Sequence, residues 1–192
     1  MFQRPEFLAP VRLDVHNFTW WFIHLEQGNF VVDVRVTDEV YKRHEVNAAH
    51  PPDKPHARML YDYWLSKRGE RKFPAWQDID ILDLWRIAPC MIIKDVIGDG
   101  VDFLNRYWGT QITHRAGFDA TGKTHQEMYQ DQPQGPQMDT YRAVYETGMA
   151  YNVHRSSSFI AGREFIVFNS LNLPVGKTDD KVEHILIAID YE

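Results

Sequence analysis

The sequence between residues 63 and 129 contains, in order, Tyr-Trp-Leu-Ser-Lys-Arg-Gly (63–69), Pro-Ala-Trp-Gln-Asp-Ile-Asp (74–80), Arg-Tyr-Trp-Gly-Thr (106–110) and Ala-Gly-Phe-Asp-Ala-Thr-Gly-Lys-Thr (116–124). Proline and glycine interrupt the region repeatedly, so each regular element in it must be short. Two β-rich runs separated by Gly-Asp-Gly at 98–100 predict a hairpin. A hairpin followed by several very short helices is typical of a sensor module rather than of an enzyme.

Similar signals predict the elements on either side. A helix is expected from Pro55 to a glycine cap at Gly69, because proline favours the first helical turn. Thr124 and Glu127 have the spacing of a capping box, which predicts a short helix after them. The other predicted elements are a short helix between Asp80 and Pro89, helices at 110–116 and 137–147, strands at 90–97, 101–108, 151–160, 165–174 and 182–191, and turns at 161–163 and 176–180.

These elements predict an α+β fold with one five-stranded antiparallel sheet and helices on one face. The space between the sheet and the helices would then be open to a ligand. Residues 57–192 are predicted to form this domain, with a leading amphipathic helix at 56–68. Residues 1–56 are predicted to form an N-terminal extension that contains a β-hairpin at 18–36 and a proline-rich linker at 50–56.

The order and spacing of short motifs resemble the PAS domain family. The matching residues are Tyr63-Trp64 with Arg68-Gly69, Pro74 with Asp78-Ile79-Asp80, Arg106-Tyr107-Trp108-Gly109-Thr110, and the turn from Gly117 to Lys123. Over about residues 57–192 the chain is similar to a branch of bacterial PAS-like proteins, common in alphaproteobacteria and often small and stand-alone. Ile81 replaces the proline usual after Asp-Ile-Asp, and the extension before residue 50 has no counterpart. The resemblance implies sensing or protein–protein signalling and no defined reaction.

One segment supports an alternative function. Gly117-x4-Gly122-Lys123-Thr124 satisfies the phosphate-loop pattern, and the apolar run ending at Asp190 resembles a strand that supplies a magnesium ligand. The alternative hypothesis is therefore that the protein is a P-loop-like nucleotide-binding enzyme. A working phosphate loop needs a buried strand before it and a long helix after it. Residues 113–116 are too polar for a buried strand, and the helix predicted after the loop is short. We therefore favour the interpretation that these glycines end one short helix and precede another.

The composition restricts the partners and the compartment. A net charge of −6 and a pI near 5.8 do not fit a general nucleic-acid-binding protein. The chain has one cysteine, Cys90, and no apolar run long enough to span a membrane, and its N-terminus lacks the apolar segment of a signal peptide. We therefore expect a cytoplasmic protein without nucleic-acid or membrane partners.

No cofactor can be assigned from the sequence, and no catalytic motif is present. The nine histidines lack the spacing of a zinc site, and the helix predicted at 137–147 has no histidine for a haem iron. Only His114 or His125 could replace such a ligand. Cys90 lies in an apolar strand, which predicts an unreactive thiol, and the cysteine motif of flavin photosensors is absent. We expect a protein that is not an enzyme, and its cofactor stays unknown.

Eight side chains are predicted to line the space between the sheet and the helices. The members on strands share one face by the period of two, and the pair on the long helix shares a face by its i, i+4 spacing. The predicted ligand-binding residues are Phe103, Tyr107, Phe118, Met128, Tyr141, Tyr145, His154 and Phe168. A packed core without ligand is the favoured interpretation of the same residues, because aromatic side chains at these spacings occur in any packed sheet.

The predicted function is that of a non-catalytic sensor or adaptor in signal transduction. It would act by binding a small molecule, by associating with a signalling protein, or by both. The chain ends after the last predicted strand, so the signal is expected to leave through association with another protein or as a homodimer. The helix at 56–68 and the hairpin at 18–36 are the expected contact surfaces, because each offers apolar area.

Overall fold

The computed structural model describes residues 20–26, 29–35, 42–129, 136–157, 166–178 and 181–192. The chain divides into two compact units, residues 1–41 and residues 42–192. Within the described residues, none of the helices has both the length and the apolar character needed to cross a membrane. The turn predicted at 161–163 lies outside the described residues.

The first unit contains a β-hairpin within the segment where the sequence predicts one. Strands β1 (Trp20–Glu26) and β2 (Asn29–Arg35) pair antiparallel along their whole lengths, from Trp20 opposite Arg35 to Glu26 opposite Asn29. The alternation of valines with charged residues in the second strand is the pattern that favours this pairing.

The second unit is built on a six-stranded antiparallel sheet in the order β3-β6-β7-β8-β4-β5. The strands are β3 (Lys42–Val46), β4 (Met91–Ile97), β5 (Asp102–Trp108), β6 (Ala150–Ser157), β7 (Val167–Thr178) and β8 (Lys181–Tyr191). The predicted α+β fold with an antiparallel sheet is confirmed. The sheet has six strands rather than five, because β3 pairs with β6 from a segment assigned to the extension.

Four α-helices lie in the described part of the second unit, and the structure corrects one predicted helix and one turn. The helices are α1 (Pro55–Arg68), α2 (Thr110–Ala116), α3 (His125–Met128) and α4 (Pro136–Thr147). Between Asp80 and Pro89 the structure has a 3₁₀ helix at Ile81–Leu84, and a second one follows at Ala88–Cys90; Pro89 lacks the amide hydrogen that a continuous helix would need there. The turn predicted at 176–180 is shorter than expected, since β7 continues to Thr178.

The two faces of the sheet are covered by different helices. Lys94 lies opposite Ile185 in the β4–β8 pair, and its side chain lies over the ring of Tyr141 on α4. His184 and Asp190 are an odd number of residues from Ile185 in β8, so their side chains point to the other face of the sheet. The Asp190 carboxylate accepts hydrogen bonds from the first backbone amides of α1. The face of Lys94 is therefore covered by α4, and the face of Asp190 by α1. Helices thus cover both faces and not one as the sequence predicts, because Asp190 holds the start of α1 on the face opposite α4. We call them the α4 face and the α1 face.

Strand β8 forms the centre of the core because both of its faces are covered. Residues 185–190 are all buried, which accounts for the unbroken apolar run Ile185–Ile189. From α1, the buried side chains of Leu60, Tyr61 and Trp64 pack into the same core. The Trp64 indole N–H donates to the Pro174 carbonyl at 2.7 Å, which fixes the helix on β7.

A β-bulge in β5 changes which way its side chains point. Lys94 pairs with Asn105, but Ile93 pairs with Tyr107, so β5 contains one extra residue at this point. Arg106 forms an ion pair of 2.7 Å with Asp95, which has the parity of the α1 face. Beyond the bulge, Tyr107 lies opposite Ile93 on that same face.

Candidate functional site

The most unusual feature of the α4 face is a cluster of buried polar side chains. Lys94 on β4, Asn105 on β5 and His125 on α3 have exposed fractions of 1%, 0% and 3%. The Lys94 ammonium donates a hydrogen bond of 2.6 Å to Asn105 Oδ1, and its Nζ lies 4.7 Å from the centre of the Tyr141 ring. A lysine this deeply buried is rare, because removing its charge from water is costly.

Asn105 connects this cluster to the turn before α3. Its side-chain amide donates to the Lys123 carbonyl at 3.0 Å and to the Met128 sulfur at 2.9 Å. Its backbone N–H donates to the same Lys123 carbonyl, and its backbone carbonyl accepts from the Gly122 N–H. Every polar atom of Asn105 therefore has a partner, and the side chain holds Lys94 in place.

Burial strongly perturbs the ionisable groups of the cluster. Burial lowers the pKa of Lys94 to about 7, and the Asp102 carboxylate opposes this shift. Burial lowers the pKa of His125 to about 3, and the neighbouring Lys94 charge adds to the effect. Burial raises the pKa of Tyr129 to about 12. Near neutral pH the histidine and the tyrosine are uncharged, and Lys94 is the group whose charge changes.

Aromatic rings surround the cluster and come from three elements. The Tyr141 ring lies 5.4 Å from that of Phe103 and 5.6 Å from that of His125, and the His125 and Tyr129 rings are 4.7 Å apart. These are the distances of edge-to-face and tilted aromatic contacts. The rings exclude water from the Lys94 ammonium, which is the cause of its lowered pKa.

The structure brings three of the eight predicted ligand-binding residues together around Asn105 and Lys94. Phe103 and Tyr141 contact each other, and the Met128 sulfur accepts from Asn105. Two others lie away from this centre. The Tyr145 ring, further along α4, lies beside Gly100 in the β4–β5 turn, and the Phe118 ring is 5.7 Å from Lys123 Nζ in the loop before α3.

The remaining three predicted residues lie elsewhere. Tyr107 follows the bulge, so its hydroxyl donates to the Ala88 carbonyl instead of entering the α4 face. His154 hydrogen-bonds with Asn152, which pairs with Leu171 on the α1 face. Phe168 lies on the α4 face but far along the sheet. Lys94 and Pro174 both pair with Ile185, and Phe168 is six residues, or about 20 Å, from Pro174 along β7.

Sequence analysis missed the polar members of the cluster. Lys94 and Asn105 stand in strands where a polar residue is normally assigned to the solvent side, and His125 was considered only as an iron ligand. One signal was available: Lys94 follows Met91-Ile92-Ile93, an apolar run typical of a strand buried on both faces.

The segment that matches the phosphate-loop pattern has a different structure. Helix α2, not a strand, precedes it and ends at Gly117, whose φ of 86° closes the helix. Helix α3, which follows, has only four residues. A phosphate loop requires the opposite arrangement, with a strand before the loop and a long helix after it.

The backbone amides of this segment are also occupied. The Gly122 N–H donates to the Asn105 carbonyl at 2.8 Å, and the Lys123 N–H donates within its own turn at 3.0 Å. The Thr124 N–H donates to the Glu127 carboxylate at 2.8 Å, which completes the predicted capping box. The amides that would hold a phosphate are therefore used internally, and the structure gives no support for the nucleotide-binding alternative.

Cys90 is buried at the end of the 3₁₀ helix Ala88–Cys90, directly before β4, and not within the strand that the sequence predicts. Its thiol donates to the side-chain carbonyl of Gln111, and burial raises its pKa. Both effects disfavour the thiolate, the reactive form of cysteine. Across the part of the chain that the structure describes, no group of three or more His, Cys, Asp or Glu side chains is arranged to hold a metal ion.

The fold and the site together define an α+β domain with one antiparallel sheet, whose covered face encloses a charged polar cluster. Comparison with protein families agrees: the model of the PAS domain matches residues 53–189. The chain belongs to the PAS domain family, which confirms the resemblance, and domains of this family serve in sensing and signalling. Comparisons with curated proteins and with solved structures found no match.

Proposed function

We propose that this protein is a non-catalytic cytoplasmic sensor that binds a small molecule on the α4 face and signals by protein association. The cluster of Lys94, Asn105 and His125 is the observation that carries this proposal. A domain that needed only a stable core would gain nothing from burying a lysine without a carboxylate beside it. Ionisable groups whose pKa values are strongly perturbed by burial are typical of functional sites.

Native mass spectrometry of gently purified protein, with an absorption spectrum of the same sample, tests ligand binding. Wild-type protein is expected to carry a mass beyond that of the polypeptide. The variants Tyr141→Ala and Phe103→Ala are expected to lose it, because both rings enclose the cluster. Val101→Ala serves as the control, since that side chain is exposed. A wild-type protein without adduct, also after incubation with a metabolite extract of its native cells, would refute ligand sensing.

The association step is supported by an exposed apolar pair beside α1. Leu82 and Trp85 are 79% and 67% exposed, the highest values among the large apolar side chains described. Hydrogen bonds between the Tyr63 hydroxyl and the backbone of Asp80 hold their segment against α1. By contrast, α1 itself buries its apolar face in the core, so the surface beside it is the better contact area.

We propose that this surface joins two copies of the chain. Sedimentation velocity is expected to show a dimer for the wild type and a monomer for Leu82→Lys/Trp85→Lys. Val101→Lys is the matched control, because Val101 is exposed on the β4–β5 turn. A protein that remains monomeric at every concentration and captures no partner from its native lysate would contradict the association step.

A further inference from the structure

We propose that the Lys94 ammonium is the binding group for the carboxylate of a small monoanionic ligand. This assignment rests on the proposed sensor function and names the chemical class that the site would recognise. It follows from the charge, the hydrogen-bond donors and the enclosure of the α4 face.

The charge of Lys94 lacks a direct counterion. Within the described residues, no carboxylate oxygen lies within 4.0 Å of its Nζ, although seven other basic side chains form such ion pairs. The Asp102 carboxylate raises the pKa of Lys94 through space, without an ion pair. The Arg142 charge lowers the pKa of the neighbouring His125, as the Lys94 charge does. The cluster is therefore short of negative charge, which an anion would supply.

The α4 face also offers hydrogen-bond donors beyond those used inside the protein. A lysine ammonium has three N–H bonds, and the Asn105 side chain accepts one of them. The Trp108 indole N–H is buried and has no hydrogen-bond partner in the described structure. Trp108 lies opposite Ile92, two residues from Lys94 in β4, so both donors belong to the same face of the β4–β5 pair.

These donors fit a carboxylate better than a phosphate or a neutral molecule. One ammonium balances one negative charge, whereas a phosphate dianion would leave a charge uncompensated in a buried site. A carboxylate has two oxygens, which can accept from the ammonium and from a neutral donor at once. A neutral ligand would leave the Lys94 charge as it is. The surrounding rings of Phe103 and Tyr141 favour a ligand whose remainder is apolar.

Acetate is the probe for this site, and acetamide is its matched neutral control. Titration of ¹⁵N-labelled full-length protein, followed by NMR, is expected to show saturable shifts at β4, β5 and α3 with acetate and none with acetamide. Lys94→Met is expected to weaken acetate binding at least tenfold, about the factor lost with one charged hydrogen bond. Lys123→Met should bind like the wild type, because that lysine side chain is exposed on the turn.

Proton uptake provides a second readout that does not depend on any variant. Because the pKa of Lys94 is lowered to about 7, the amine is mostly neutral at pH 8 and must gain a proton to bind an anion. Calorimetry in two buffers of different ionisation enthalpy is expected to show an uptake of about 0.9 proton per acetate near pH 8. The affinity should fall about tenfold for each pH unit above 8.

The outcomes separate this assignment from the proposed sensor function. Equal shifts with acetamide, unchanged binding in Lys94→Met, absence of acetate binding, or binding without proton uptake would each overturn the carboxylate assignment. A neutral molecule that co-purifies with the protein would do the same while leaving ligand sensing in place. A wild-type protein that carries no co-purified ligand and does not respond to acetate would refute both proposals.

Discussion

Replacement of Lys94 by methionine tests whether the buried ammonium opposes folding. Lys94 has a pKa of about 7 in the folded protein and 10.5 as a free side chain. Below pH 7 the amine is charged in both states, so the full cost of burying the charge is present. Between these two values the folded state releases the proton and the unfolded state keeps it, so stability rises with pH. Above 10.5 the amine is neutral in both states and the cost is gone.

The size of the effect follows from the two pKa values. The cost of the charge is about 4 kcal/mol near pH 7.5 and about 2 kcal/mol near pH 9, so the wild type should gain about 2 kcal/mol over this interval. Methionine has a similar length and no charge, so Lys94→Met should lack this gain. Its loss of the hydrogen bond leaves Asn105 Oδ1 unpaired, which costs about 1–3 kcal/mol at both pH values.

Urea denaturation followed by far-ultraviolet circular dichroism measures the difference. Near pH 7.5 we expect Lys94→Met to be more stable than the wild type or equal to it, and the difference should shift by about 2 kcal/mol in favour of the wild type near pH 9. Tyrosines with raised pKa contribute equally to both proteins and cancel. Lys123→Met should follow the wild-type curve. Parallel curves for wild type and Lys94→Met would show that Lys94 is not buried as a titrating amine.

Three further predictions concern the framework around the site. Asp190→Asn should lower stability by about 1–2 kcal/mol in urea denaturation, because its carboxylate accepts from two backbone amides at the start of α1; Asp62→Asn, which alters an exposed ion pair, should change it by less than about 0.5 kcal/mol. Gly109→Ala should prevent stable folding, measured as the thermal midpoint, because the new Cβ would lie 2.3 Å from the Pro89 carbonyl oxygen; a normal midpoint would refute that packing. Cys90 should react with a thiol reagent at neutral pH only as fast as the protein unfolds, and rapid labelling in buffer without urea would contradict its burial.

The elements that the sequence predicted well are those with local stop signals. The β4–β5 hairpin was placed within one residue, because Gly98 and Gly100 both adopt positive φ in its turn. The capping box of Thr124 and Glu127 is present as its spacing predicts. Such signals act over three or four residues and can be read without knowledge of tertiary contacts.

The misplaced features depend on contacts between distant parts of the chain. Strand β3 was missed because Lys42-Arg43-His44-Glu45 has no apolar alternation, and only pairing with β6 makes it a strand. Tyr107 was assigned to the wrong face because period two assumes a regular strand, and the bulge in β5 breaks that period. The burial of Lys94 follows from α3 and α4 covering the sheet, which no local pattern reports.

Strand β3 also defines where a shorter version of this protein can begin. The family match begins at residue 53, but β3 ends at Val46 and pairs with β6 along all five of its residues. A fragment that starts at residue 53 would leave without partners the amides and carbonyls of β6 that face β3, although those that face β7 would stay paired. Such an unprotected strand is a template for intermolecular pairing, so that fragment is expected to aggregate, while one that starts at residue 42 keeps the short, charged strand β3 at the edge.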